Sequence, residues 1–536
     1  MNGTCWSWTL VFSACLATAG YAAPFARTLS DAKLRDYVAA FNRTDEELYT
    51  NSIPNAAAAD FLADAVPRFE CPDAEIERTY YFRWWTYRKH LRQTPDGWVV
   101  TEFLPDVGWA GKHNTISCPL GHHLREGRWL RDGRYLDDYT RFMVRQGNVA
   151  GTKAYACWPA WAALERERVT GDTSAANRLA DDFVRNYETW ERGWSARIWT
   201  SRPVSWLPTG YKAERGLFDF DGNHEGTEFA LSPEGARPMV NAAMWAEAQA
   251  ISTIAARTGR PDVAARFASR AKGLEEAIRN RLWNEEKGFF VTLTTNGVQD
   301  SVCELHGYAP FYFRLPLDVR HAVAWNRLMR EDGFFAPKGL TFPARSTPGF
   351  RSDMDLSRHE CLWDGPSWPY ATSVALTALY ETLQGEVSCP IGAKDFVTLL
   401  RQYAQQHVRV REDGTTVPWI DEDLDPFTGE WLARRIMIEK DRKGLGKLMY
   451  RERGKDYNHS TFCDLVIAGL CGLVPQADGS VVVRPLAPPE WDWWCVDGIL
   501  YKGCILTILY DRYGDHYHQG KGLRVLVNGR PEASNN

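Results

Sequence analysis

Apolar residues recur at helical spacing along most of the chain, in pairs of segments joined by short turns. Residues 157–194 and 241–283 each contain two stretches whose apolar side chains lie three or four positions apart. Thr-Gly turns at Gly171 and Gly259 separate the stretches, and Pro261 follows the second turn. Glycine commonly ends one helix and proline commonly begins the next. Each segment is therefore predicted to form a helical hairpin.

Further helices follow from the same pattern. Pairs are predicted over 116–146 and 366–408, and single helices over 76–92 and 459–473. Long, aromatic-rich loops separate them. Repeated helix pairs with such loops indicate a mainly α toroid, in which inner and outer helices alternate and the loops at one end form a pocket. A helical solenoid is the alternative, although its repeats would be shorter and more uniform in length.

The pattern changes from helical to alternating near residue 479. Short runs of alternating apolar and polar residues continue to an Asn-Gly turn signal at Asn528 and Gly529. We therefore predict a toroid over 24–475 and a small β-domain over 476–536. Because this domain is short and follows without a linker, we expect it to cap the toroid and not to act as an independent binding module.

The first 23 residues are typical of a secretory signal peptide. An apolar stretch at 8–16 precedes a run of small residues at 17–23 that offers cleavage sites. The chain is thus expected to be exported to the periplasm or the extracellular space, with a lipid anchor at Cys15 as the alternative. No later segment has about 18 consecutive apolar residues, so no membrane-spanning helix is predicted.

Composition narrows the classes of partner. The 536 residues are 44% apolar and carry a net charge of −5, with no basic run, so neither nucleic acid nor an anionic membrane is expected as a partner. The chain contains 23 tryptophans, a number that suits either core packing or carbohydrate binding. The scattered cysteines lack the spacing of zinc ligands.

The acidic loop at 216–232 partly matches the calcium-binding EF-hand pattern. Asp219, Asp221 and Asn223 have its odd-position spacing, but His224 stands in place of the turn glycine and Ala230 in place of the bidentate glutamate. Calcium binding by this motif is therefore not expected, and we predict neither a metal nor another cofactor.

Carboxylates cluster in two loops beside helical segments, at 216–232 and 419–431. In a toroid such loops fall at the mouth, where acids from distant parts of the chain can face each other across a glycosidic bond. Glycoside hydrolysis needs such a pair, one carboxyl as acid and one as base or nucleophile. Trp419 and Trp431 bracket the second loop, and indole rings stack on sugar faces.

Three motifs resemble those of glycoside hydrolase family 63 and the related mannosylglycerate hydrolase-like glycosidases. The segment LWDGPSWPY (362–370) is similar to their Trp-x-Gly-Pro-x-Trp-Pro signature. EGTEFALS (225–232) resembles their general-acid segment, and DEDLDPFTG (421–429) resembles their general-base segment. The motifs occur in the family's order over roughly 75–475. The resemblance implies a six-hairpin (α/α)6 barrel and inversion of the anomeric centre.

The same resemblance assigns the catalytic roles. It gives the acid position to Glu228 and the base position to Glu422, although the family usually has aspartate, preceded by serine, at the acid position. Glu225 is therefore a competing candidate for the acid. In a purely structural alternative, these acids cap helix N-termini. The other acids of the second loop, Asp421, Asp423 and Asp425, are predicted to be turn and solvent residues.

The remaining expected site residues bind substrate. Trp363 and Trp368 form a sugar platform under this hypothesis, and Asp364 contacts a hydroxyl where the family commonly has arginine. Gly365 and Pro366 alternatively serve only to break the chain before a helix. The substrate-binding residues we predict are Glu225, Trp363, Asp364, Gly365, Trp368, Trp419 and His459.

The leading hypothesis is an exported inverting exo-glycosidase that acts on an α-linked, glucose- or mannose-type sugar in an oligosaccharide or glycoside. Two alternatives remain: a carbohydrate-binding protein of the same fold that lacks catalysis, and an α/α-barrel sugar epimerase or lyase. The latter enzymes depend on His or Tyr bases, and the sequence does not present a comparably ordered set of histidines.

Overall fold

The structure is a computed structural model that describes residues 10–13, 27–146, 154–193, 209–353, 359–385, 388–444 and 452–535. Most of the predicted signal peptide therefore lies outside the described residues. The described part, Leu10–Ser13, is a strand that pairs antiparallel with Ser480–Val483. Among the described helices, none has the length and apolarity needed to cross a membrane.

Helices dominate the described chain, as the sequence predicts. The α-helices span Ala32–Thr44, Ala58–Ala65, Ala74–His90, Leu120–Gly127, Arg134–Gln146, Pro159–Thr170, Ser174–Arg178, Ala180–Arg192, Pro238–Arg257, Pro261–Ala277, Ala309–Tyr312, Pro369–Gln384, Ala393–Gln405, Leu432–Arg442 and Phe462–Asp464. Two π-helical segments, Ile278–Leu282 and Leu465–Leu470, continue the helices that precede them. The helix predicted for residues 459–473 is thus shorter than expected and changes to π geometry.

The helices form two concentric rings, which confirms the (α/α)6 toroid. Within the described residues, six helical segments touch one another in a closed inner ring: Leu120–Gly127, Pro159–Thr170, Pro238–Arg257, Ala309–Tyr312, Pro369–Gln384 and Phe462–Leu470. Outer helices such as Arg134–Gln146, Pro261–Ala277 and Ala393–Gln405 pack against them. Inner helices are buried on nearly every face, and in Pro369–Gln384 every residue from 369 to 380 is buried.

The hairpin turns form for the reasons that the sequence suggests. Gly171 ends its helix in the left-handed region, with a φ of 73°, and Gly259 has a φ of 74°, conformations that glycine adopts without a Cβ penalty. Proline occupies the first turn of the helices that begin at Pro159, Pro238 and Pro261, where its missing N–H costs no hydrogen bond.

Strands are short in the toroid and longer at the C-terminus. They span Leu10–Ser13, Arg68–Glu70, Leu91–Thr94, Gly97–Val100, Gly210–Lys212, Leu217–Asp219, Gly235–Ala236, Trp283–Asn284, Phe289–Phe290, Leu293–Thr294, Val408–Val410, Thr416–Pro418, Leu473–Pro475, Ser480–Val483, Trp493–Tyr501, Cys504–Asp511, Gly522–Val527 and Arg530–Asn535.

The main C-terminal sheet also includes a strand from the N-terminal part of the chain. Trp493–Tyr501, Cys504–Asp511, Gly522–Val527 and Arg530–Asn535 form an antiparallel meander, and Arg68–Glu70 adds to the free edge of Trp493–Tyr501. This pairing covers an edge that would otherwise expose unpaired backbone groups. The β-domain is therefore joined to the toroid by backbone hydrogen bonds as well as by the chain.

The N-termini of four inner helices meet at one end of the toroid, because ion pairs and a hydrogen bond join the loops that enter them. The loops that enter them are residues 101–119, 220–237, 359–368 and 452–461. A fifth loop, 419–431, follows the Thr416–Pro418 strand and contacts the third of these. Since helix N-termini carry partial positive charge, this end favours carboxylates.

A buried ionic cluster centred on Asp464 ties three inner helices together. One Asp464 oxygen accepts from the Arg125 Nε at 2.9 Å and from the Tyr380 hydroxyl at 2.9 Å. The other accepts from Arg128 Nη2 at 2.8 Å and from Trp129 Nε1 at 2.8 Å. Burial opposes the charge, but the two arginines lower the pKa of Asp464 below its usual value.

We expect Asp464→Asn to lower the free energy of unfolding by about 3–5 kcal/mol, because removing one partner leaves buried cations without compensation. The lowered pKa means that Asp464 stabilises the fold above the pKa it has in the unfolded chain, near 4, and loses that effect as the pH falls. The difference between the two proteins in urea denaturation should therefore shrink at acid pH.

Asp332→Asn is the matched control, because Asp332 forms an exposed ion pair with Arg330 and such pairs contribute little. It should leave the urea midpoint unchanged. A midpoint for Asp464→Asn equal to that of the control would contradict the proposed role of the cluster.

Candidate active site

The loop around Trp363 holds the first predicted carboxylate, Glu228. The Trp363 backbone N–H donates to the Glu228 carbonyl at 3.3 Å, and its indole Nε1–H donates to the Glu228 carboxyl Oε2 at 3.3 Å. Phe229, the next residue, has a positive φ of 61°, an uncommon conformation for an aromatic residue. Trp363 therefore holds both the backbone and the carboxyl of Glu228 in place.

The same loop is bonded to the second carboxylate loop. Ser367 and Leu424 exchange both backbone hydrogen bonds, at 2.8 and 3.0 Å, in an isolated antiparallel bridge. Leu424 lies two residues after Glu422, and it also bridges to Trp431. The three motifs recognised in the sequence are therefore joined directly to one another, with residues 363–367 in the middle.

Glu228 has the character of a proton donor. Burial raises the pKa of its carboxyl, and the Trp363 hydrogen bond opposes the rise without cancelling it. The residue nevertheless remains partly accessible to solvent, as a group that must meet a substrate requires. A raised pKa suits a carboxyl to general-acid chemistry.

Glu422 lies in a more enclosed position, 7% exposed. Burial raises the pKa of its carboxyl to about 7; the Arg453 guanidinium, 3.6 Å from Oε2, opposes this shift, and the charge of Asp421 adds to it. The thiol of Cys361 approaches the other oxygen at 3.6 Å. Glu422 therefore changes charge near neutrality, and Arg453 favours its ionised form.

The two carboxyls lie in one electrostatic environment. After burial, the charges of both Glu228 and Glu422 contribute to raising the pKa of the Cys361 thiol and that of the Cys118 thiol. The geometry agrees, because the Cys361 thiol lies 3.6 Å from Glu422 Oε1 and Trp363, two residues further on, bonds Glu228, so both carboxyls contact one short segment. The structure therefore brings together the pair that the sequence motifs proposed from positions almost 200 residues apart.

Glu225 is placed differently from the other two. Its Oε2 accepts from Arg237 Nε at 2.7 Å and its Oε1 accepts from the Val240 N–H at 3.0 Å, while His306 Nδ1 lies 3.4 Å away. Burial opposes ionisation, but Arg237 and His306 lower the pKa of Glu225 to about 2. A carboxylate that is ionised and fully bonded anchors its loop and has no proton to donate. This arrangement disfavours Glu225 as acid or as a substrate ligand.

Trp419 and Trp431 anchor their loop and do not form a sugar-facing slot. Trp419 is 1% exposed, and the charged groups of Arg409, Arg434 and Lys455 lie 4.7, 5.4 and 5.2 Å from its ring. The indole of Trp431 donates to the Val408 carbonyl at 2.9 Å. The sequence interpretation of Trp419 as substrate-binding therefore differs from the structure, because cations already cover its ring.

Neighbouring acids of this loop also depart from expectation. Asp421 and Asp423 are buried, with exposed fractions of 0% and 1%, and not solvent residues. Asp421 pairs with Arg434 at 3.0 Å, and Asp423 accepts from the Ala433 N–H at 2.9 Å. Asp425 agrees with its predicted turn role, because its carboxylate accepts from the Phe427 N–H at 2.8 Å.

The signature tryptophans form a stack. Trp363 and Trp368 lie 4.1 Å apart with ring planes inclined by 23°, and Trp368 stacks on Tyr370 at 4.6 Å. Each tryptophan is only 1% exposed, so they support the acid more than they offer an open platform. Asp364 is 8% exposed and its backbone carbonyl accepts from the Arg351 N–H at 2.9 Å.

Gly365 has a structural reason to be glycine. A Cβ at this position would lie 1.8 Å from the Arg351 carbonyl oxygen, so no side chain can be accommodated where the two backbones meet. This contact accounts for Gly365 without a bound sugar.

Sequence reasoning named His459 but did not single out Glu102, Trp109 or Arg453, which lie in the same two entry loops. His459 Nε2 lies 3.3 Å from Glu102 Oε2, and Arg453 lies 5.2 Å from the Trp109 ring. Trp109 is partly accessible, unlike the signature tryptophans. The sequence feature that could have identified these residues is their position, because each lies in a loop that enters an inner helix. Within the described chain, no group of His, Cys, Asp or Glu side chains is arranged to hold a metal.

Two protein families match this sequence. Residues 112–460 match the family described as mannosylglycerate hydrolase MGH1-like glycoside hydrolase domain. Residues 476–532 match the C-terminal domain of glycosyl hydrolase family 65. The second match covers most of the predicted β-domain, whose boundary remains a prediction.

Solved structures share the architecture. A protein named a sialidase is 35% identical and has a TM-score of 0.83 over 95% of this chain and 44% of its own. A family GH78 rhamnosidase of Bacillus sp. GL1 is 14% identical, with a TM-score of 0.51 over 86% of this chain and 41% of its own, and indicates shared fold alone. This chain thus spans less than half the length of either protein.

Proposed function

The chain belongs to the mannosylglycerate hydrolase MGH1-like glycoside hydrolases, and from this premise we propose that it is an exported inverting exo-glycosidase. Its proposed substrate is an oligosaccharide or glycoside with an α-linked, glucose- or mannose-type terminal sugar. Glu228 acts as general acid and Glu422 as general base. The inversion and the linkage rest on the motif resemblance, and export rests on the N-terminal sequence pattern.

The observation that carries this proposal is that one segment holds together two loops with raised-pKa carboxyls, of which Glu422 is buried and Glu228 is partly accessible. Trp363 donates to Glu228, and Ser367 pairs with Leu424 beside Glu422. Structural ion pairs such as Glu225–Arg237 lower a carboxyl pKa, whereas desolvation without full pairing raises it. Raised values in neighbouring carboxyls are typical of catalytic acids and bases.

Glu228 starts the reaction by donating its proton to the glycosidic oxygen as the bond to the leaving group lengthens. The hydrogen bond from Trp363 Nε1 at 3.3 Å orients the carboxyl. As the proton leaves, the new charge on Glu228 is stabilised by that same N–H.

Glu422 completes the reaction by taking a proton from a water molecule that attacks the anomeric carbon on the opposite face. Arg453 supports this role because its positive charge stabilises the ionised base before the proton arrives. Direct attack by a carboxylate would leave a covalent intermediate and retain the anomeric configuration, so product stereochemistry separates the two mechanisms.

Replacing the base, Glu422→Gln, should reduce kcat by a factor of about 100 to 10,000, because the amide keeps the shape of the side chain but cannot accept the proton. Binding of the sugar should persist. Steady-state kinetics on aryl α-glucosides and α-mannosides, together with sugar titration of the inactive variant, measure both quantities.

Glu430→Gln is the control from the same loop, since Glu430 is exposed and pairs with Arg435 at the surface. It should retain wild-type turnover. Comparable activity in the Glu422 and Glu430 variants would refute the assignment of the base.

Removing the cation beside the base, Arg453→Gln, should shift the acidic limb of kcat/KM to higher pH by about one unit or more. Activity requires ionised Glu422, and the loss of Arg453 raises the pKa of Glu422 above its value of about 7. The defect should thus be larger at pH 6 than at pH 8. Arg453→Lys retains the charge and should show a smaller shift, whereas an equal loss at every pH would argue against this coupling.

Product stereochemistry tests the mechanism as a whole. Because water attacks from the face opposite the leaving group in a single step, an α-glycoside should first release the β-anomer. Proton NMR of the reaction, recorded before mutarotation, distinguishes the two anomers. Initial release of the α-anomer would overturn both the base assignment and the inverting mechanism.

A further inference from the structure

Glu102 is a further carboxyl beside the proposed site, and it lies outside both the recognised motifs and the matched family region, which begins at residue 112. It follows the Gly97–Val100 strand in the loop that enters the first inner helix, and is 5% exposed. Its N–H donates to the Asn114 carbonyl at 2.7 Å. The Asn114 side chain donates to the carbonyls of Phe103 and Pro105 at 2.8 and 3.0 Å, so the Glu102 backbone is firmly held.

The side chain of Glu102 and that of His459 leave polar atoms unused. Glu102 Oε2 and His459 Nε2 are 3.3 Å apart, but their alignment does not make a hydrogen bond. Glu102 Oε2 and both ring nitrogens of His459 are buried without a hydrogen-bond partner among the described residues. Proteins rarely leave such atoms unsatisfied, because burying them without partners is costly. A ligand that supplies hydrogen bonds accounts for their retention.

Neither group is charged at neutral pH. Burial raises the pKa of Glu102 to about 8 although the nearby Arg453 opposes the shift, and burial with the charge of Arg83 lowers the pKa of His459 to about 3. The pair is then a carboxylic acid beside a neutral imidazole. Each of these groups offers one donor and at least one acceptor, the combination that a sugar hydroxyl, itself a donor and an acceptor, can satisfy.

An aromatic wall adjoins this polar pair. The His459 ring lies 4.1 Å from that of Tyr457 and 6.5 Å from that of Phe103, and Trp109 meets Phe103 edge-on at 6.0 Å. Phe103 and Tyr457 are each 2% exposed, whereas Trp109 stays partly accessible. Trp109 is therefore the ring of this wall that can meet the apolar C–H face of a sugar whose hydroxyls reach the polar pair.

The charges nearby favour an uncharged sugar. Arg453, the cation next to Glu102, is already shared by Glu422 at 3.6 Å and Glu360 at 3.3 Å. A carboxylate on the ligand would therefore add a negative charge where two carboxylates already compete for one guanidinium, and it would lose its own hydration on entry.

We propose that Glu102 and His459 form the hydroxyl-binding edge of the subsite for the terminal sugar, and that this sugar is neutral. Glu102 acts as an uncharged donor and acceptor and takes no part in proton transfer to the glycosidic bond. The inference rests on the proposed function for the kind of ligand, but sugar binding tests it without turnover.

The experiment titrates intrinsic tryptophan fluorescence of the full chain with D-glucose, D-mannose, D-galactose, L-rhamnose and L-arabinose, and with D-glucuronate and N-acetylneuraminate as anionic probes. The wild type should bind at least one neutral sugar saturably and bind both anionic probes at least tenfold more weakly. Monodeoxy forms of the bound neutral sugar should include one that binds at least tenfold more weakly. These wild-type results do not depend on the folding of any variant.

Variants then assign the effect to Glu102. Glu102→Ala should weaken the neutral sugar by 10- to 100-fold, whereas Glu102→Gln, which keeps a donor and an acceptor, should stay within about threefold of the wild type. Glu247→Gln is the matched control, because Glu247 is equally buried but accepts from the Trp161 N–H at 2.8 Å in a separate inner helix. It should leave sugar affinity unchanged.

Several outcomes would overturn the proposal: tighter binding of either anionic probe than of every neutral sugar, no saturable binding of any neutral sugar, or wild-type affinity in Glu102→Ala. Loss of all turnover in Glu102→Gln would identify Glu102 as a proton donor or acceptor and also overturn it. Sugar binding without any glycoside hydrolysis by the wild type would instead refute the proposed function and leave this inference standing.

Discussion

The site depends on the hydrogen bonds that residues 363–367 make to both carboxylate loops. Trp363 bonds the Glu228 loop through its backbone and its indole, and Ser367 pairs with Leu424 beside Glu422. At the middle of this segment, Gly365 passes so close to Arg351 that a Cβ would not fit. Residues 363–367 therefore position both carboxyls, and displacing this segment would move both of them.

Burial alone does not distinguish the proposed catalytic and sugar-binding carboxyls from those that form structural ion pairs. Glu225 and Asp464 are as buried as Glu422, yet each is surrounded by arginines and backbone or side-chain donors that lower its pKa. Glu422 and Glu102 are desolvated with too few partners, and their pKa values rise to about 7 and 8. Charge compensation, and not depth, separates Glu225 and Asp464, which anchor the fold, from Glu422 and Glu102.

The tryptophans around the site serve mainly to pack the core and to hold its loops, and less to contact a sugar. Trp363, Trp368 and Trp419 are each 1% exposed and pack against other rings, cations or the acid itself. Large rigid rings fill the irregular spaces between inner helices and their entry loops, and their N–H groups bond the loops in place. Trp109, which keeps part of its surface accessible, is the indole of this region best placed to meet a sugar.

Local patterns in the sequence were sufficient to predict the helical hairpins, the turns at Gly171 and Gly259, and the change to strands near residue 479. They also revealed the three motifs that contain Glu228, Trp363 and Glu422. These features are local, since helical periodicity, capping and short motifs are visible within a few residues of chain. Three features depend on contacts between distant parts of the chain. They are the pairing of Ser367 with Leu424, the addition of Arg68–Glu70 to the C-terminal sheet, and the surroundings of Glu102 and Arg453. A carboxyl becomes an anchor or a proton donor according to which distant side chains surround it. Spacing along the chain does not encode that environment, so Glu225 and Glu228, three residues apart, acquired opposite shifts in pKa.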